Sequence, residues 1–433
     1  MGTYLDAAVE AAAFIDSRRC NDGALWHSSE ADDAKPNTTL YNGAGGIILF
    51  LLELAAATGE QRYFDEAIAA GHDVAARAPI ARRSINMNIG YSADLIVYDA
   101  LAVATGDDTF RRLARATIQT MADSAVPLEG GVGWIEAMPF SHITGVTGQR
   151  ETVDLSVGSA GVVMTLASMH DRYDGALELA EAAAGRLLHL GEPVSGSAGD
   201  GIRWEMMVDM PFPFPAPGMA HGSAGVGLMF AELYRATRNQ TYLDAAIGGA
   251  NYAWSHRRST GSGCLIPHLL GIEPPRFYLS NCHGPAGTSR LFTVLAEITS
   301  HAEWEQRSAA LLAGYQDLGV PEQRSEGLWQ NHGQCCGDAG IGDFALWRYE
   351  RTGDPTDVDL ADRAAAVILA AADLDDGKRS WVMAEHRDRP DFLQRQTGYF
   401  QGAAGIGSFL VHLHTAHGGP GQRIWLPDYP GER

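Results

Sequence analysis

The sequence predicts an all-α protein built as an α/α toroid, with seven inner helices surrounded by seven outer helices. The first observation behind this prediction is a repeat, because short glycine-rich clusters recur seven times and each opens a strongly apolar run. The second is alternation, since each apolar run stops at a turn such as Thr58-Gly59 and an amphipathic run follows. The third is that the last apolar run, near Gly405 to His414, is as apolar as the middle ones. The end repeats of an open solenoid carry polar surfaces, so a closed ring is the better interpretation.

The inner helices are predicted from the clusters themselves. A helix that is apolar on nearly every side is buried all round, and the second half of each cluster has this pattern. In a closed ring the clusters would all lie at the same end, so that residues distant in sequence converge on one cavity. The clusters read NGAGG from Asn42, IGYSA from Ile89, VGSAG from Val157, HGSAG from His221, HGPAG from His283, CGDAG from Cys336 and QGAAG from Gln401.

The outer helices are predicted from the amphipathic runs, which bury one face and expose the other. Such runs begin, for example, at Tyr63, Thr109, Thr241 and Val358, and a helix near 5–17 supplies the remaining outer partner. The glycines that end the inner helices, Gly59, Gly106 and Gly353, suit a left-handed cap position. Segments 130–150 and 211–217 are predicted to be longer connections at the rim of the cavity. We expect residues 1–433 to form one domain.

Composition narrows the class of protein. Lys and Arg total 32 against 53 Asp and Glu, which gives a net charge of −21 and argues against nucleic acid or an anionic membrane as the main partner. No apolar stretch is long enough to span a bilayer, and the first residues lack the basic and apolar regions of a signal peptide. Five cysteines is an odd number, which favours thiols or metal ligands over a disulfide framework. A cytoplasmic protein without a transmembrane segment is expected.

Three cysteines lie in two neighbouring clusters. The fifth cluster reads Asn-Cys-His-Gly at 281–284 and the sixth reads Gln-Cys-Cys-Gly at 334–337. A toroid would bring Cys282, Cys335 and Cys336 together, and three sulfur ligands with an open fourth position suit a catalytic zinc ion. The alternative is that these small side chains only fill tightly packed loops. Cys20 and Cys264 have no such setting and are expected to be inert thiols.

Two further side chains are candidates for proton transfer. His221 lies in the fourth cluster, at the mouth of the same cavity, and a histidine there could act as a general acid or base. It could equally bond a loop carbonyl. Asp154 precedes the third cluster, and on its own it would be interpreted as a helix N-cap.

The clusters together resemble the lanthionine synthetase C family of LanC cyclases and LanC-like proteins. The resemblance extends over essentially the whole chain and is carried by DLSVG from Asp154, AHG from Ala220, NCHGPAG from Asn281 and QCCGDAG from Gln334. It implies a Zn²⁺ ion held by Cys282, Cys335 and Cys336, with Cys336 where histidine is usual, as in a subset of the family with an all-sulfur site. It also implies roles for His221 and Asp154. A further departure is Tyr278 at a position where the cyclases commonly have arginine, although Arg276 is nearby.

The resemblance implies a reaction and its partners. In this family a peptide cysteine adds to dehydroalanine or dehydrobutyrine and closes a thioether ring, and His221, assisted by Asp154, would protonate the resulting enolate. The chain has no Walker A motif, dinucleotide-binding fingerprint or kinase signature, so a separate dehydratase would have to supply the dehydrated precursor peptide. One alternative is a LanC-like enzyme that adds glutathione or another small thiol to dehydroamino acids in proteins. The other is a zinc-stabilised peptide-binding module without catalysis.

Overall fold

The computed structural model describes residues 2–21, 23–29, 36–81, 84–137, 145–210, 214–384 and 386–431. These residues form fourteen helices, as the repeat predicts. The outer helices are α1 (Gly2–Asp16), α3 (Gln61–Ala81), α5 (Asp108–Ser124), α7 (Ala176–Leu190), α9 (Gln240–Ser255), α11 (Ala302–Leu318) and α13 (Pro355–Ala370). The inner helices are α2 (Ala44–Thr58), α4 (Tyr91–Thr105), α6 (Ser159–Ala167), α8 (Ser223–Thr237), α10 (Pro285–Thr299), α12 (Asp338–Thr352) and α14 (Ala403–Ala416).

The inner helices form a closed ring. Each contacts the next along the chain, and α14 returns to contact α2. The outer helices α3 to α13 each pack against the inner helix that precedes them, and α1 packs against α14, so the first and last of the described helices form the seventh pair. The structure therefore confirms the predicted α/α toroid. None of the helices among the described residues combines the length and apolarity needed to cross a bilayer.

The glycines explain how the inner helices begin and end. Every inner helix has a glycine as its N-cap, and at Gly284 an added Cβ would collide with the backbone of Leu279. Glycine is needed at this position because the preceding loop approaches it closely, and not because its φ angle is unusual. At the other end, Gly59, Gly106 and Gly353 have φ angles of +71°, +67° and +67°, which confirms their predicted left-handed cap conformation.

The connections contain six short antiparallel hairpins that the sequence analysis missed. Their strands have two to five residues, too few for an alternating pattern to be recognised. Parts of the two predicted rim connections, residues 138–144 and 211–213, lie outside the described residues, whereas strands at 131–133, 135–137 and 149–151 lie in or at the end of the first. The pairs are β1 (Val126–Leu128) with β2 (Gly131–Gly133), β3 (Ile135–Ala137) with β4 (Gln149–Glu151), β5 (Glu192–Gly196) with β6 (Gly199–Arg203), β7 (Arg258–Ser259) with β8 (Cys264–Leu265), β9 (Asp373–Asp375) with β10 (Lys378–Ser380), and β11 (Val382–Ala384) with β12 (Leu393–Arg395).

Hydrogen bonds join the seven loops before the inner helices into a closed chain, which we call the hydrogen-bond circle. Each loop contributes the residue two positions before its N-cap glycine, and the members are Tyr41, Asn88, Ser156, Ala220, Cys282, Cys335 and Phe400. Six links run from a backbone N–H to the C=O of a neighbouring loop, over 2.6 to 3.3 Å. The seventh comes from a side chain, because Asn88 Nδ2 donates to Ser156 O at 2.9 Å. The circle holds all seven loops at one level.

The last described residues of the chain lie inside the toroid. We call residues 422–431 the C-terminal segment, and its residues 426–430 are all buried. Trp347 Nε1 donates to Pro430 O at 2.9 Å, and Ile424 N donates to Glu53 Oε1 at 2.7 Å. The segment therefore packs against α2 and α12 from within the ring.

A buried charged network connects three inner elements beside this segment. His412 on α14 lies between Asp343 Oδ1, 2.7 Å from its Nδ1, and Glu53 Oε1, 2.8 Å from its Nε2. Burial alone would lower the pKa of His412, but the two carboxylates outweigh burial and raise the pKa to about 9. His412 is thus held as an imidazolium that joins α2, α12 and α14.

The stability of the protein should depend on pH through His412. Because the folded-state pKa exceeds the ordinary value of 6.5, this contribution is complete below about pH 6.5 and is lost as pH rises through about 9. We expect the free energy of unfolding to fall over this window by an amount on the order of 3 kcal/mol. Chemical denaturation at a series of pH values would measure it. This decrease in the free energy of unfolding should largely disappear in His412→Gln. It should persist in the control His417→Gln, because the ion pair of His417 with Asp362 is partly exposed. Equal pH profiles for wild type and His412→Gln would contradict the prediction.

Candidate active site

The three predicted cysteines come together in one cluster. Cys336 Sγ lies 3.5 Å from Cys335 Sγ and 4.0 Å from Cys282 Sγ, and all three sulfurs lie within 4.8 Å of one another. Among the described residues, this is the one group of three or more metal-binding side chains gathered so closely. The nearby histidines of the same two loops, His283 and His332, are not part of it.

The hydrogen-bond circle explains why residues 53 positions apart meet. Cys282 and Cys335 occupy equivalent, adjacent positions of the circle, and Cys282 N donates to Cys335 O at 3.3 Å. Cys336 is the next residue along the chain, one position before the N-cap Gly337 of α12. Two adjacent loops therefore present three sulfurs to the same point.

The pKa values of the three thiols are shifted in different directions. Hydrogen bonds from Cys282 and Cys336 hold the pKa of the Cys335 thiol well below its usual range, and a further hydrogen bond from Tyr41 acts in the same direction. The pKa values of the other two thiols are raised well above the usual range, because their hydrogen bonds to the cluster favour the protonated form. Zinc binds thiolates, so metal binding would release the protons that remain on the cluster.

The donor set fits a zinc ion. Tetrahedral zinc with sulfur at about 2.3 Å places its sulfur ligands about 3.8 Å apart, close to the separations between Cys336 and the other two cysteines. Three protein ligands are the number typical of a catalytic rather than a structural zinc site. The cluster can therefore hold a metal ion with little rearrangement.

His221 and Asp154 form a pair beside the thiols. His221 Nδ1 lies 2.8 Å from Asp154 Oδ2, while Asp154 Oδ1 accepts a hydrogen bond from Val157 N at 2.7 Å. Burial would lower the pKa of His221, but the Asp154 carboxylate outweighs it and the pKa is raised, with a smaller contribution from Cys335. The N-cap interpretation of Asp154 is wrong, because Gly158 is the N-cap of α6. The sequence left a loop carbonyl equally open as the partner of His221, and the structure places its Nδ1 against the Asp154 carboxylate.

Aromatic rings that the sequence analysis did not assign to the site line one side of it. The His283 ring centroid lies 5.4 Å from that of His221 and 4.2 Å from that of His268, which in turn is 4.6 Å from Tyr278. Burial lowers the pKa of His268 to about 3 and that of His283 well below its usual range, so both imidazoles are neutral. His283 precedes its N-cap glycine by one position, as His221 and Cys336 do. This shared position in the repeat could have identified His283 as a residue of the site. No comparable signal marks His268, which follows β8.

The remaining predicted residues lie apart from the cluster. Arg276 is partly exposed, and its Nη1 lies 3.4 Å from Asp388 Oδ1. A guanidinium that does lie over the Tyr278 ring belongs to Arg387, with its Cζ 5.4 Å from the ring centroid. Cys20 and Cys264 are both buried and lie outside the thiol cluster.

Fold and site together define the class of protein. It is a closed helical toroid with a three-cysteine centre and a histidine–carboxylate pair at the N-terminal ends of its inner helices. The chain belongs to the lanthionine synthetase C-like family, whose model matches residues 36–418. The resemblance recognised in the sequence is thereby confirmed.

Solved structures support the fold. The chain is similar to nisin cyclase, with a TM-score of 0.63 and 15% sequence identity over 95% of this chain and 93% of that one. It is also similar to a GH76 α-mannanase from Bacteroides thetaiotaomicron, with a TM-score of 0.51 and 12% identity over 94% of both chains. An inactive variant of an α-1,6-mannanase from Salegentibacter sp. HEL1_6 gives a TM-score of 0.50 and 10% identity over 96% of this chain and 99% of that one. A comparison with curated proteins finds no match.

Proposed function

We propose that the protein is a zinc-dependent lanthipeptide cyclase, which adds cysteine thiolates of a peptide to dehydroalanine or dehydrobutyrine and so forms (methyl)lanthionine rings. The observation that carries this proposal is the position of the His221–Asp154 pair beside the cluster of Cys282, Cys335 and Cys336. Membership of the lanthionine synthetase C-like family supports it further. We also propose that residues 1–433 form one domain, since α1 and the C-terminal segment both complete the toroid.

The three cysteines would hold the metal, and a zinc ion bound there would lower the pKa of a substrate thiol so that a thiolate forms at neutral pH. The sulfur ligands carry a combined charge of −3, so the site suits thiol alkylation better than activation of water. Neutral His268 and His283, with Tyr278, would shield this side of the site without adding a charge.

His221 would supply the proton that completes the addition. Attack of the substrate sulfur on Cβ of the dehydroamino acid leaves an enolate, and a proton must then reach Cα. Asp154 fixes the His221 ring through Nδ1 and stabilises its protonated form, which would be the proton donor. The raised pKa of His221 keeps more of the acid form at neutral pH.

The proposed reaction defines the partners. The substrate would be a dehydrated precursor peptide made by a separate dehydratase, and the nisin cyclase likeness is consistent with a peptide substrate. We place the reaction in the cytoplasm, where thiols stay reduced. The second candidate function is addition of glutathione or another small thiol to dehydroamino acids in proteins, favoured by the same thiol-binding centre. A peptide-binding module held together by zinc would use the cluster without catalysis.

One experiment separates these functions. The zinc-loaded protein would be incubated with a linear peptide containing one dehydroalanine and one cysteine, with and without glutathione. A cyclase consumes the free thiol without a change in peptide mass, whereas small-thiol addition raises the mass by one glutathione. We expect rapid loss of the thiol at unchanged mass. Tight peptide binding with neither change would contradict catalysis.

A further inference from the structure

A buried arginine lies directly behind the thiol cluster. Arg290 is on α10, eight residues after Cys282, and its exposed fraction is 0%. A guanidinium this deeply buried is costly unless its charge and its donors are matched. Its partners therefore indicate what it holds in place.

Those partners belong to two separate parts of the chain. Arg290 Nη1 donates to the backbone oxygen of Asp428 and to Asp428 Oδ2, the latter at 3.0 Å. Arg290 Nη2 donates to Asn281 Oδ1, and the guanidinium lies 4.2 Å from the ring centroid of Tyr429. Arg290 thus connects the C-terminal segment with the residue immediately before Cys282.

The same groups line a small cavity together with two of the three thiols. Arg290, Asn281 and Asp428 share this cavity of about 40 Å³ with Cys282 and Cys335. Arg290 therefore places a positive charge beside two of the sulfurs and fixes the position of Asn281, the residue before Cys282.

We propose that Arg290 is a positioning residue for the metal centre, which fixes the Asn281–Cys282 turn against Asp428 and so makes the metal affinity of the cysteines depend on the C-terminal segment. This inference rests on the metal site of the proposed function but does not require cyclisation.

Charge balance explains why the loss of Arg290 should weaken metal binding. One Zn²⁺ with three thiolates carries a net charge of −1, and the Arg290–Asp428 pair beside it is neutral. Without Arg290, the Asp428 carboxylate would share a cavity with the cluster and repel it. The Asn281 turn would also lose the donor that orients it. Both changes weaken metal binding.

The test is zinc competition against a chromophoric chelator with the full-length protein. Loss of a group that orients a metal ligand usually costs 10- to 100-fold in affinity, and we expect a loss in this range for Arg290→Met. Arg290→Lys retains the charge but not the two-pronged hydrogen bonding, so its loss should be smaller. Cobalt substitution adds a spectroscopic readout, because the thiolate-to-cobalt absorption should shift in Arg290→Met if the sulfurs are displaced.

Arg348→Met is the matched control. Arg348 is also buried, on α12, but its Nε lies 3.1 Å from Asp357, on the outer helix α13, and it does not line the cavity. We expect Arg348→Met to lower the melting temperature and to leave zinc affinity unchanged. Equal losses of zinc affinity in both variants would overturn the proposal, because they would indicate a general effect of removing a buried charge.

Asp428→Ala tests the link to the C-terminal segment. Alone it should weaken zinc binding several-fold, because Arg290 loses the carboxylate that fixes it against the Asn281 turn. In the Arg290→Met background it should cause no further loss, because that contact is already absent and the unpaired carboxylate is removed. Additive losses would overturn the link.

If Arg290→Met fails to fold, unchanged zinc affinity in Asp428→Ala overturns the proposal by itself. If the wild-type protein binds no zinc, both the proposed metal centre and this inference are overturned. If wild type and Arg290→Met bind zinc equally well, only this inference is overturned.

Discussion

Cys282→Ala is expected to remove almost all zinc from the purified protein. Wild type should hold about one zinc ion per chain, bound by Cys282, Cys335 and Cys336. The variant retains only the two adjacent cysteines of one loop, and two thiolates seldom hold zinc against a chelator. Metal analysis after dialysis against a chelator would measure the loss.

Two controls make this result specific. Cys264→Ala removes a thiol that is about as buried as Cys335, at 6% against 7% exposure, and Cys20→Ala removes a third buried thiol. Both variants should retain their zinc. Full zinc occupancy in the Cys335→Ala, Cys336→Ala double variant would contradict the assignment and point instead to His283 or His332.

His221→Asn should reduce turnover by roughly 100-fold or more, the usual effect of losing a general acid, while zinc remains bound. Asparagine can still donate to Asp154, so the loop should keep its conformation, but it cannot supply a proton to Cα. The rate at saturating dehydrated peptide, with zinc occupancy measured on the same sample, would show this.

The control is a histidine that bonds a backbone carbonyl. His170 Nδ1 lies 2.8 Å from Ala167 O, which is the alternative first considered for His221. His170→Asn should leave the rate within a few-fold of wild type. A normal rate in His221→Asn would reduce His221 to a residue of loop packing.

The regular features of the sequence were sufficient to predict the fold. Glycines before apolar runs carry a signal at every repeat, and Cys282, Cys335 and Cys336 stand out because most other clusters have no metal-binding side chain at equivalent positions. The hairpins could not be found in the same way, since strands such as Arg258–Ser259 have two residues and no periodicity.

The repeat pattern brings neighbouring loops together, as it does for the three cysteines, but it does not identify other individual side-chain contacts between them. The pairing of His221 with Asp154 joins residues 67 positions apart, and periodicity does not specify which side chains of two neighbouring loops meet. The contacts of Arg290 are harder still to predict from the sequence, because it is an isolated charge within an apolar helix. Its partner Asp428 lies 138 residues away, in a segment without a repeat signal. Such residues are identified only when the inner surface of the ring is known.

The hydrogen-bond circle also determines the route by which any ligand reaches the thiols. A toroid resembles a tunnel, yet the circle draws the seven loops together around a cavity of only about 40 Å³, and the buried residues 426–430 fill the space beyond it. A polypeptide therefore cannot thread through the molecule. Whatever approaches Cys336 must leave by the face through which it entered, and a peptide carrying several reactive sites would have to be repositioned over that one face between successive reactions.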